Sequence, residues 1–432
     1  MFYSQSATNL RNKPFRKVTQ AISFFYNAKK TYQDAFMQLN LRHLLSAIEI
    51  NNKGTLTAAA EQMHLSQSAL TQGINKLENE LGQQLFSRSS TGMFATPVGN
   101  RFLTRANRAF DYLFEFASTL YATDKRKRQS FVRSITSRQL NAFVKVAESH
   151  SYTIAAARLG LSQPTLHKSI KNLENLCEQS LFHRSPTGVE PTWRARQLRR
   201  FANLFIAEIH QGLEELAEAD GRMDGTIKIG SLPLSTAAIV PKSVLKLLER
   251  YPLARTTIVD GPYDEQLNAL LNGHLDVIVG ALRHPAPHAD ITQHKLFDDP
   301  LSLVVKAGHP LADVKQLTDN TLEQLKWVVP SKGVPSRQVF DDIFKSRGLE
   351  APKDIIECSA LAAIRGILLN SERASLLPAK QVEVEVSCGL LAVCPAIIHE
   401  SRREIGLTVR KNWQPTEVQK AFLRIIEKDF LI

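Results

Sequence analysis

Two runs of side chains in this sequence have the types that hydrogen-bond base edges and phosphates, at spacings that put them on one face of a helix. Gln67, Ser68, Thr71, Gln72 and Lys76 form the first run, and Gln163, Thr165, His167, Lys168 and Lys171 form the second. Gln can pair bidentately with adenine, Thr can touch a thymine methyl, and Lys can hold guanine or phosphate. Ser66 and Ser162 stand just before the two runs, where a helix N-terminus also offers backbone N–H donors to a phosphate. Thr57 and Thr153 upstream, with Arg88 and Arg184 downstream, complete the set expected to contact DNA. On a lone helix such a polar face is more often merely solvated. Its appearance twice, in the same context, favours the chemical reading.

That context is a repeat. Thr57-Ala58-Ala59-Ala60, Leu65-Ser66-Gln67-Ser68, Leu77-Glu78-Asn79, Leu85-Phe86-Ser87-Arg88 and Thr91-Gly92 recur about 96 positions later without a gap. The second copy reads Thr153-Ile154-Ala155-Ala156, Leu161-Ser162-Gln163-Pro164, Leu173-Glu174-Asn175, Leu181-Phe182-His183-Arg184 and Thr187-Gly188. Leu44, Leu45 and Ile48, like Leu140, Phe143 and Val144, fall at helical spacing and predict an amphipathic first helix. Thr55 or Ser151 can cap a short second helix whose alanines allow a close crossing. Ser66 or Ser162 then caps a third, and Pro164 is tolerated because the first helical turn has no N–H bond to lose. Leu70, Ile74 and Leu77, matched by Leu166, Ile170 and Leu173, give that helix a buried stripe, which fixes its angle while its polar face enters a major groove. The Leu-Phe-x-Arg run and the Thr-Gly turn predict a hairpin, read as a wing.

Charge supports the same reading. Residues 1–222 hold 29 Lys and Arg against 17 Asp and Glu, whereas the remainder holds 25 of each, so the whole +12 net charge belongs to the first half. A basic half beside a neutral one suggests a polyanion-binding module joined to a module with another task. The length implies several folded units, each with its own core. No stretch reaches the roughly 20 apolar residues that span a bilayer, and the N-terminus has no signal-peptide pattern, so a soluble cytoplasmic protein is expected. Cys177, Cys358, Cys388 and Cys394 are too scattered for a disulfide framework or a zinc site, and read as core thiols rather than a redox pair at Cys388 and Cys394. No nucleophile elbow, P-loop, zinc-protease or dinucleotide motif occurs. An enzyme is therefore not expected, nor a cofactor or metal.

A long amphipathic helix follows each copy. Its stripe is Val98, Phe102, Leu103, Ala106, Phe110, Leu113, Phe114, Ala117 and Leu120 in the first, and Leu198, Phe201, Phe205, Ile209, Leu213 and Leu216 in the second. Such a stripe is either a dimer seam or a packing face. Between the copies, Asp124-Lys125-Arg126-Lys127-Arg128 reads as a basic linker, solvated or touching phosphate.

The Ala-Ala pair, the Leu-Ser-Gln run, the Leu-Glu of the third helix, Leu-Phe-x-Arg and the Thr-Gly turn make each copy resemble the N-terminal domain of LysR-type transcriptional regulators. The resemblance extends through 225–230 into the effector-binding domain of that family. It implies a multidomain fold: two all-α winged helix-turn-helix domains with long linker helices, then an α/β two-lobed domain like the periplasmic binding proteins. The family normally has one winged helix per chain, so the second copy puts its usual dimer and operator spacing in question. The wing return at 95–99 looks family-like, whereas Glu190-Pro191-Thr192-Trp193-Arg194 is altered, which makes the first copy the better expected DNA reader. Met37 stands where family members usually begin. The expected organisation is therefore a basic extension over 1–37, disordered or the product of an upstream start codon, with a membrane-surface helix as the lesser alternative, then a first unit over 38–123, a basic linker over 124–134, a second unit over 135–222 and an effector domain over 223–432. Within the last, lobe I is expected at about 223–290 and 400–432 and lobe II at about 291–399.

From residue 225 short strands alternate with helices, as an α/β domain requires. Strand C-termini and helix N-termini line the cleft of such a fold. Ser231, Leu232, Pro233, Ser235, Gly280, Ser331, Val334 and Ser359 are the expected effector contacts, although a serine in such a place is, taken singly, more often a helix cap than a ligand contact. Phrases at 299–305 and 307–311 resemble a branch regulating carbohydrate or aromatic-acid genes, which implies a carbohydrate or organic acid as effector. The expected partners are promoter DNA, that effector, and further copies of the chain in a homodimer or homotetramer. Contact with RNA polymerase stays open. Two rival readings remain: an architectural DNA-bridging protein without ligand control, and a solute-binding protein or enzyme of the same C-terminal fold.

Overall fold

Each copy builds its elements from local rules that the side chains satisfy. In a computed structural model of the chain, which describes residues 32, 34–89, 92–186, 188–398 and 401–430, the first copy opens with helical residues at 34–38 (α1). It continues as α2 (Leu41–Lys53), α3 (Leu56–Met63), α4 (Gln67–Leu81), β1 (Phe86–Ser89), β2 (Gly92–Ala95) and α5 (Pro97–Leu120). The second copy repeats that order as α6 (Lys125–Ser134), α7 (Ser137–Ser149), α8 (Tyr152–Leu159), α9 (Gln163–Cys177), β3 (Phe182–Ser185), β4 (Gly188–Pro191) and α10 (Trp193–Ala219). The expected caps are all made: the hydroxyls of Thr55 and Ser151 accept from the N–H groups of Ala58 and Ile154, and those of Ser66 and Ser162 from Ala69 and Thr165. Pro164 lies in the first turn of α9, where it displaces no helical bond. Both hairpins form in matching register, Phe86 opposite Ala95 and Phe182 opposite Pro191. The altered wing return therefore leaves the second hairpin intact. Thr91 and Thr187, expected in the turns, lie outside the described residues.

Three expectations about the two copies need correction. The extension does not run to residue 37: α1 is helical, and Phe36 is buried with its ring edge-on to Phe205 and His210 at centroid distances of 6.2 and 5.8 Å. Residues 1–31 lie outside the described residues. Nor is 124–134 a linker. Asp124 caps α6, and Phe131 and Val132 of that helix are buried, Phe131 against Phe116 at 5.7 Å. Two of its basic side chains are engaged as well: Lys127 pairs with Glu178 at 2.7 Å, and Arg133 donates to the Gln62 carbonyl at 2.7 Å. α1 and α6 occupy equivalent places in the repeat, Phe36 matching Val132 and Leu39 matching Ile135. The third correction concerns cores. The two copies were expected to hold one each, yet a single continuous apolar cluster runs from Phe36 to Leu216.

The two long helices account for that shared core. Phe102 packs on Gly212, Arg105 bonds Glu208 and Glu215, Phe110 meets Phe205 edge-on at 5.3 Å, and Phe116 lies 6.0 Å from Phe201. Rising numbers on α5 meet falling numbers on α10, so the helices pair antiparallel. Their stripes are thus a packing seam within one chain. The C-terminal end of each helix reaches the end of the other copy's third helix, Tyr121 donating to the Leu176 carbonyl at 2.5 Å and Gln83 to Asp220. The two copies are consequently related by an approximate twofold axis across the seam.

Residues 223–432 form a separate compact unit. Its first part comprises β5 (Thr226–Ser231), a π-helical turn (Ser235–Ile239), α11 (Val240–Arg250), β6 (Arg255–Asp260), α12 (Tyr263–Leu271), β7 (Val277–Ala281) and β8 (Ile291–Pro300). Next come β9 (Ser302–Lys306), α13 (Asp319–Gln324), β10 (Trp327–Val329), α14 (Pro335–Ser346), β11 (Ile355–Glu357), α15 (Leu361–Leu369), β12 (Ser375–Leu377), α16 (Glu383–Ser387) and β13 (Leu391–Val393). The chain then returns through β14 (Arg402–Arg410) and α17 (Glu417–Phe430). One sheet has the order β6-β5-β7-β14-β8, with β5 parallel to β6 and β7 and β14 antiparallel to its neighbours. The second part holds β12-β9-β13 and the parallel pair β10-β11, joined by a bridge between Trp327 and Ala374. Because β8 pairs along its length with β14, residues 291–300 belong to the first sheet. Lobe II thus begins at about 301, not 291.

Candidate nucleic-acid interface

The third helices of the two copies, α4 and α9, are held from beneath and from the side. Leu70, Ile74 and Leu77 of α4, and Leu166, Ile170 and Leu173 of α9, are buried. A carboxylate then clamps each hairpin to its helix: Glu78 accepts from the N–H groups of Leu85 and Phe86 at 2.8 and 3.0 Å, and Glu174 from that of Leu181 at 2.8 Å. These glutamates belong to the repeated Leu-Glu pair, whose role was not read from the sequence. Under α4, the missing side chain of Gly73 leaves room for the His43 ring, which a Cβ there would meet at 3.1 Å. Burial, with smaller pushes from Lys76 and Arg42 and against the pull of Glu80, holds the His43 imidazole below its ordinary value.

The expected contact residues divide by what their polar atoms already do. Gln72 and Lys76 of α4 and Gln163 and Lys168 of α9 are exposed on the outward face. Lys171 is exposed beside Glu174 at 3.7 Å. Gln67 donates to the Thr57 hydroxyl at 3.0 Å, tying α4 to α3, while Thr153 in the second copy is exposed. The hydroxyls of Ser66 and Ser68 bond each other at 3.0 Å, those of Ser162 and Thr165 do so at 2.7 Å, and Thr71 donates back to the Gln67 carbonyl. His167 is stacked on Tyr152, with centroids 3.9 Å apart and planes 18° from parallel. Burial, with a smaller push from Glu174, raises the Tyr152 hydroxyl to about 12, so the ring pair stays uncharged at Tyr152. Tyr152 was missed in the sequence because its counterpart is Leu56. On the wings, Arg88 bonds Asn75 and Arg184 is exposed. Arg184, His167, Lys171 and Gln163 line one open concavity of about 730 Å³ between α8, α9 and the hairpin.

The expected effector contacts fall into two clusters, one per sheet. Ser231, at the end of β5, is buried and accepts from Thr236 at 2.9 Å. Leu232 is buried against Gly280, whose φ of 159° and lack of a side chain permit the approach, and Pro233 is exposed. Ser235 is fully buried, and its hydroxyl has no hydrogen-bond partner among the described residues. In the second cluster the Ser359 hydroxyl accepts from the Ser331 N–H at 3.0 Å and bonds its hydroxyl at 3.1 Å, while Val334 precedes α14. Where the sheets join, Asp299 and Arg403 form a buried ion pair. Burial pushes the Asp299 carboxyl up, against the pull of Arg403. All four cysteines are free, with Cys177 and Cys394 buried and Cys388 exposed. No helix is long and apolar enough to cross a membrane among the described residues.

This arrangement matches known proteins along nearly its whole length. The profile described as bacterial regulatory helix-turn-helix protein, lysR family, matches twice, at 41–100 and 137–196, and the LysR substrate binding domain matches 220–430. The HTH-type transcriptional regulator GalR of Pseudomonas putida is 30% identical over 389 residues, 90% of this chain and 97% of that protein. Those residues are more than the stretch from 137 to 432 contains, so the match takes in the first copy too. PcaQ of Agrobacterium fabrum is 28% identical over 279 residues, 65% of this chain and 90% of its own. Among solved structures, a full-length OxyR variant of Pseudomonas aeruginosa shares the fold with a TM-score of 0.54, at 22% identity, over 68% of this chain and 94% of that one. The first two relatives are named as regulators of transcription, not enzymes. A helix-turn-helix profile met twice, a substrate-binding profile after it and a relative alike over almost its full length place this chain in the LysR family of transcriptional regulators.

Proposed function

We propose that both copies are winged helix-turn-helix readers of promoter DNA, and that the C-terminal unit takes a small polar or anionic effector between its two sheets. The observation that carries the first part is the pair α4 and α9, whose apolar stripes are buried while Gln72, Lys76, Gln163 and Lys168 face outward from capped helices. The partnerless buried hydroxyl of Ser235, at a helix start beside Ser231, supports the second. A carbohydrate or an organic acid suits hydroxyl and backbone N–H donors of this kind. Effector binding biases the placement of the two sheets about the strands that join them, and the oligomer, a homodimer or homotetramer, presents its reading helices differently in consequence. The protein acts in the cytoplasm, where promoter and RNA polymerase are.

The test is a low-salt mobility shift of the full chain with DNA upstream of its own gene. Binding should weaken as salt rises, because phosphate contacts release counterions. Failure to shift any such DNA overturns the first part. For the second, a ligand bound to the native state must raise apparent stability, so a panel of sugars and organic acids that leaves the melting temperature unmoved counts against effector control.

A further inference from the structure

We propose that a single chain is by itself a complete two-headed DNA reader, and that its operator is a pair of unlike half-sites, not a palindrome. This deepens the reading above and rests on it. Three observations lead there.

The first is the antiparallel seam between α5 and α10. Each copy's reading elements join the N-terminal end of its own long helix, so antiparallel pairing sends the two heads to opposite ends. A helix of 24 residues is about 36 Å long at 1.5 Å per residue. That is close to the roughly 34–36 Å between successive major-groove faces of B-DNA.

The second is that the seam is not self-complementary. α5 contributes Arg105 and Arg108, and α10 answers with Glu208, Gln211 and Glu215. The repeat places Phe201 and Leu204 where α5 has the arginines, and Tyr112, Glu115 and Thr119 where α10 has the acceptors. Were α10 to pair with α10 of a second chain, the buried Glu208 and Glu215 would face phenylalanine where the guanidinium now lies. Burying carboxylates without that partner is strongly unfavourable. The seam selects unlike helices, and the short connection through 121–124 and α6 keeps the correct partner at high effective concentration within the same chain.

The third is that the heads differ where they read. Gln67 and Gln163 correspond, but Thr71 faces His167 in the repeat, Gln72 faces Lys168, Asn75 faces Lys171 and Lys76 faces Asn172. A symmetric dimer imposes a palindrome because its two reading helices are identical. Here the near-twofold scaffold holds two different helices. Half-sites alike at one position and unlike at the others follow.

The experiment is selection of DNA from a pool of random duplexes by the full-length protein at low salt. The expected motif is bipartite with unlike halves. A motif whose two adjacent halves are inverted copies of each other overturns the inference while leaving DNA binding standing; enrichment of no sequence overturns the reading on which it rests. Selection is then repeated with Thr71→His and Gln72→Lys together, which gives the first helix the second's residues at two of the four differing positions. One half of the motif should convert toward the other, and an unchanged motif counts against the proposal. Finally, Gln72→Ala with Lys76→Ala, and Lys168→Ala with Lys171→Ala, are placed on separate chains and tested on a duplex carrying one bipartite site. Each should lose roughly 5- to 150-fold in affinity for every specific base contact removed. Co-expressing the two should not restore the loss. Restoration would mean that two chains supply one head each, and the single-chain reader would be wrong.

Discussion

Arg105 is the group on which the seam between the two copies depends most. It is 4% exposed, and it bonds Glu208 at 3.0 Å, Gln211 at 2.9 Å and both oxygens of Glu215. Burial alone would push its guanidinium down, yet Glu215 and Glu208 outweigh that and hold it above the ordinary arginine value. Arg105→Met keeps most of the stem's volume and removes the charge. An exposed pair would be worth about 0.2–1 kcal/mol, whereas breaking a buried one costs about 3–5 kcal/mol because the carboxylates stay behind. Arg108 still reaches Glu208 at 3.2 Å, so the lower end applies, about 3 kcal/mol. With a urea slope of about 2 kcal/mol/M, the midpoint should fall by about 1.5 M. The assay is urea unfolding of the full chain followed by far-ultraviolet circular dichroism, scored on the transition of the helical N-terminal unit. Adding Glu208→Leu and Glu215→Leu to Arg105→Met should recover most of the loss, since an apolar replacement of a buried network is often neutral. A single-variant shift under about 0.5 M, or a triple variant no better than the single, would refute the reasoning.

Phe36→Ala should cost about 3–5 kcal/mol, as expected for a fully buried ring, and a loss below about 1 kcal/mol in the same unfolding assay would show that α1 is not part of the core. His43 sets a pH dependence. Its folded value lies below the ordinary 6.5, so below that pH the unfolded chain binds a proton that the folded one resists, and stability falls as pH falls. His43→Gln, which installs the residue found at the equivalent position 139, should flatten the decline in melting temperature between about pH 7 and 5; an unchanged slope removes His43 as its cause. Burial, with Glu174 adding to it, pushes the Cys177 thiol up to about 12. Alkylation of the native protein should therefore mark exposed Cys388 first and leave Cys177 until unfolding, and peptide mapping that finds both labelled at one rate contradicts the structure.

The elements that local chemistry specifies were legible in the sequence. Capping serines, the alanines of α3 and α8, the buried stripes of α4 and α9, and both hairpins form where their residues predict. α1 and α6 were not legible, for a physical reason. Each anchors through only a few apolar side chains, Phe36 in one and Phe131 with Val132 in the other, and α6 begins with four consecutive basic residues. Locally that reads as a linker; only the seam, distant in sequence, gives those rings something to pack on. β8 was missed likewise, because His294, Lys295, Asp298 and Asp299 dilute its alternation and its partner β14 lies about a hundred residues away. For the reading face, sequence identified the outward residues but not which polar atoms are already engaged. Thr71 bonding back to its own helix and His167 stacked on Tyr152 depend on side-chain geometry that spacing alone does not encode.

What the two copies share and where they part separates architecture from specificity. Several residues with duties inside one copy agree: Ser66 with Ser162 as caps, Glu78 with Glu174 as hairpin clamps, and Thr96 with Thr192, each capping a long helix and donating to a carbonyl, Gln84 or Ser180, before its hairpin. Residues with duties between copies, or toward an outside partner, differ. Arg105 matches Phe201, Tyr112 matches Glu208, and Gln72 matches Lys168. A seam between identical chains must be self-complementary, so a buried arginine on one side appears on the other as well. Joining both copies in one chain lifts that constraint, and the seam can place its cations on α5 and its carboxylates on α10. The same release acts on the reading helices, which no longer need to recognise the same sequence. Divergence in the seam and divergence in the reading face therefore have one cause, the covalent pairing of two units that identical chains would have to pair by symmetry.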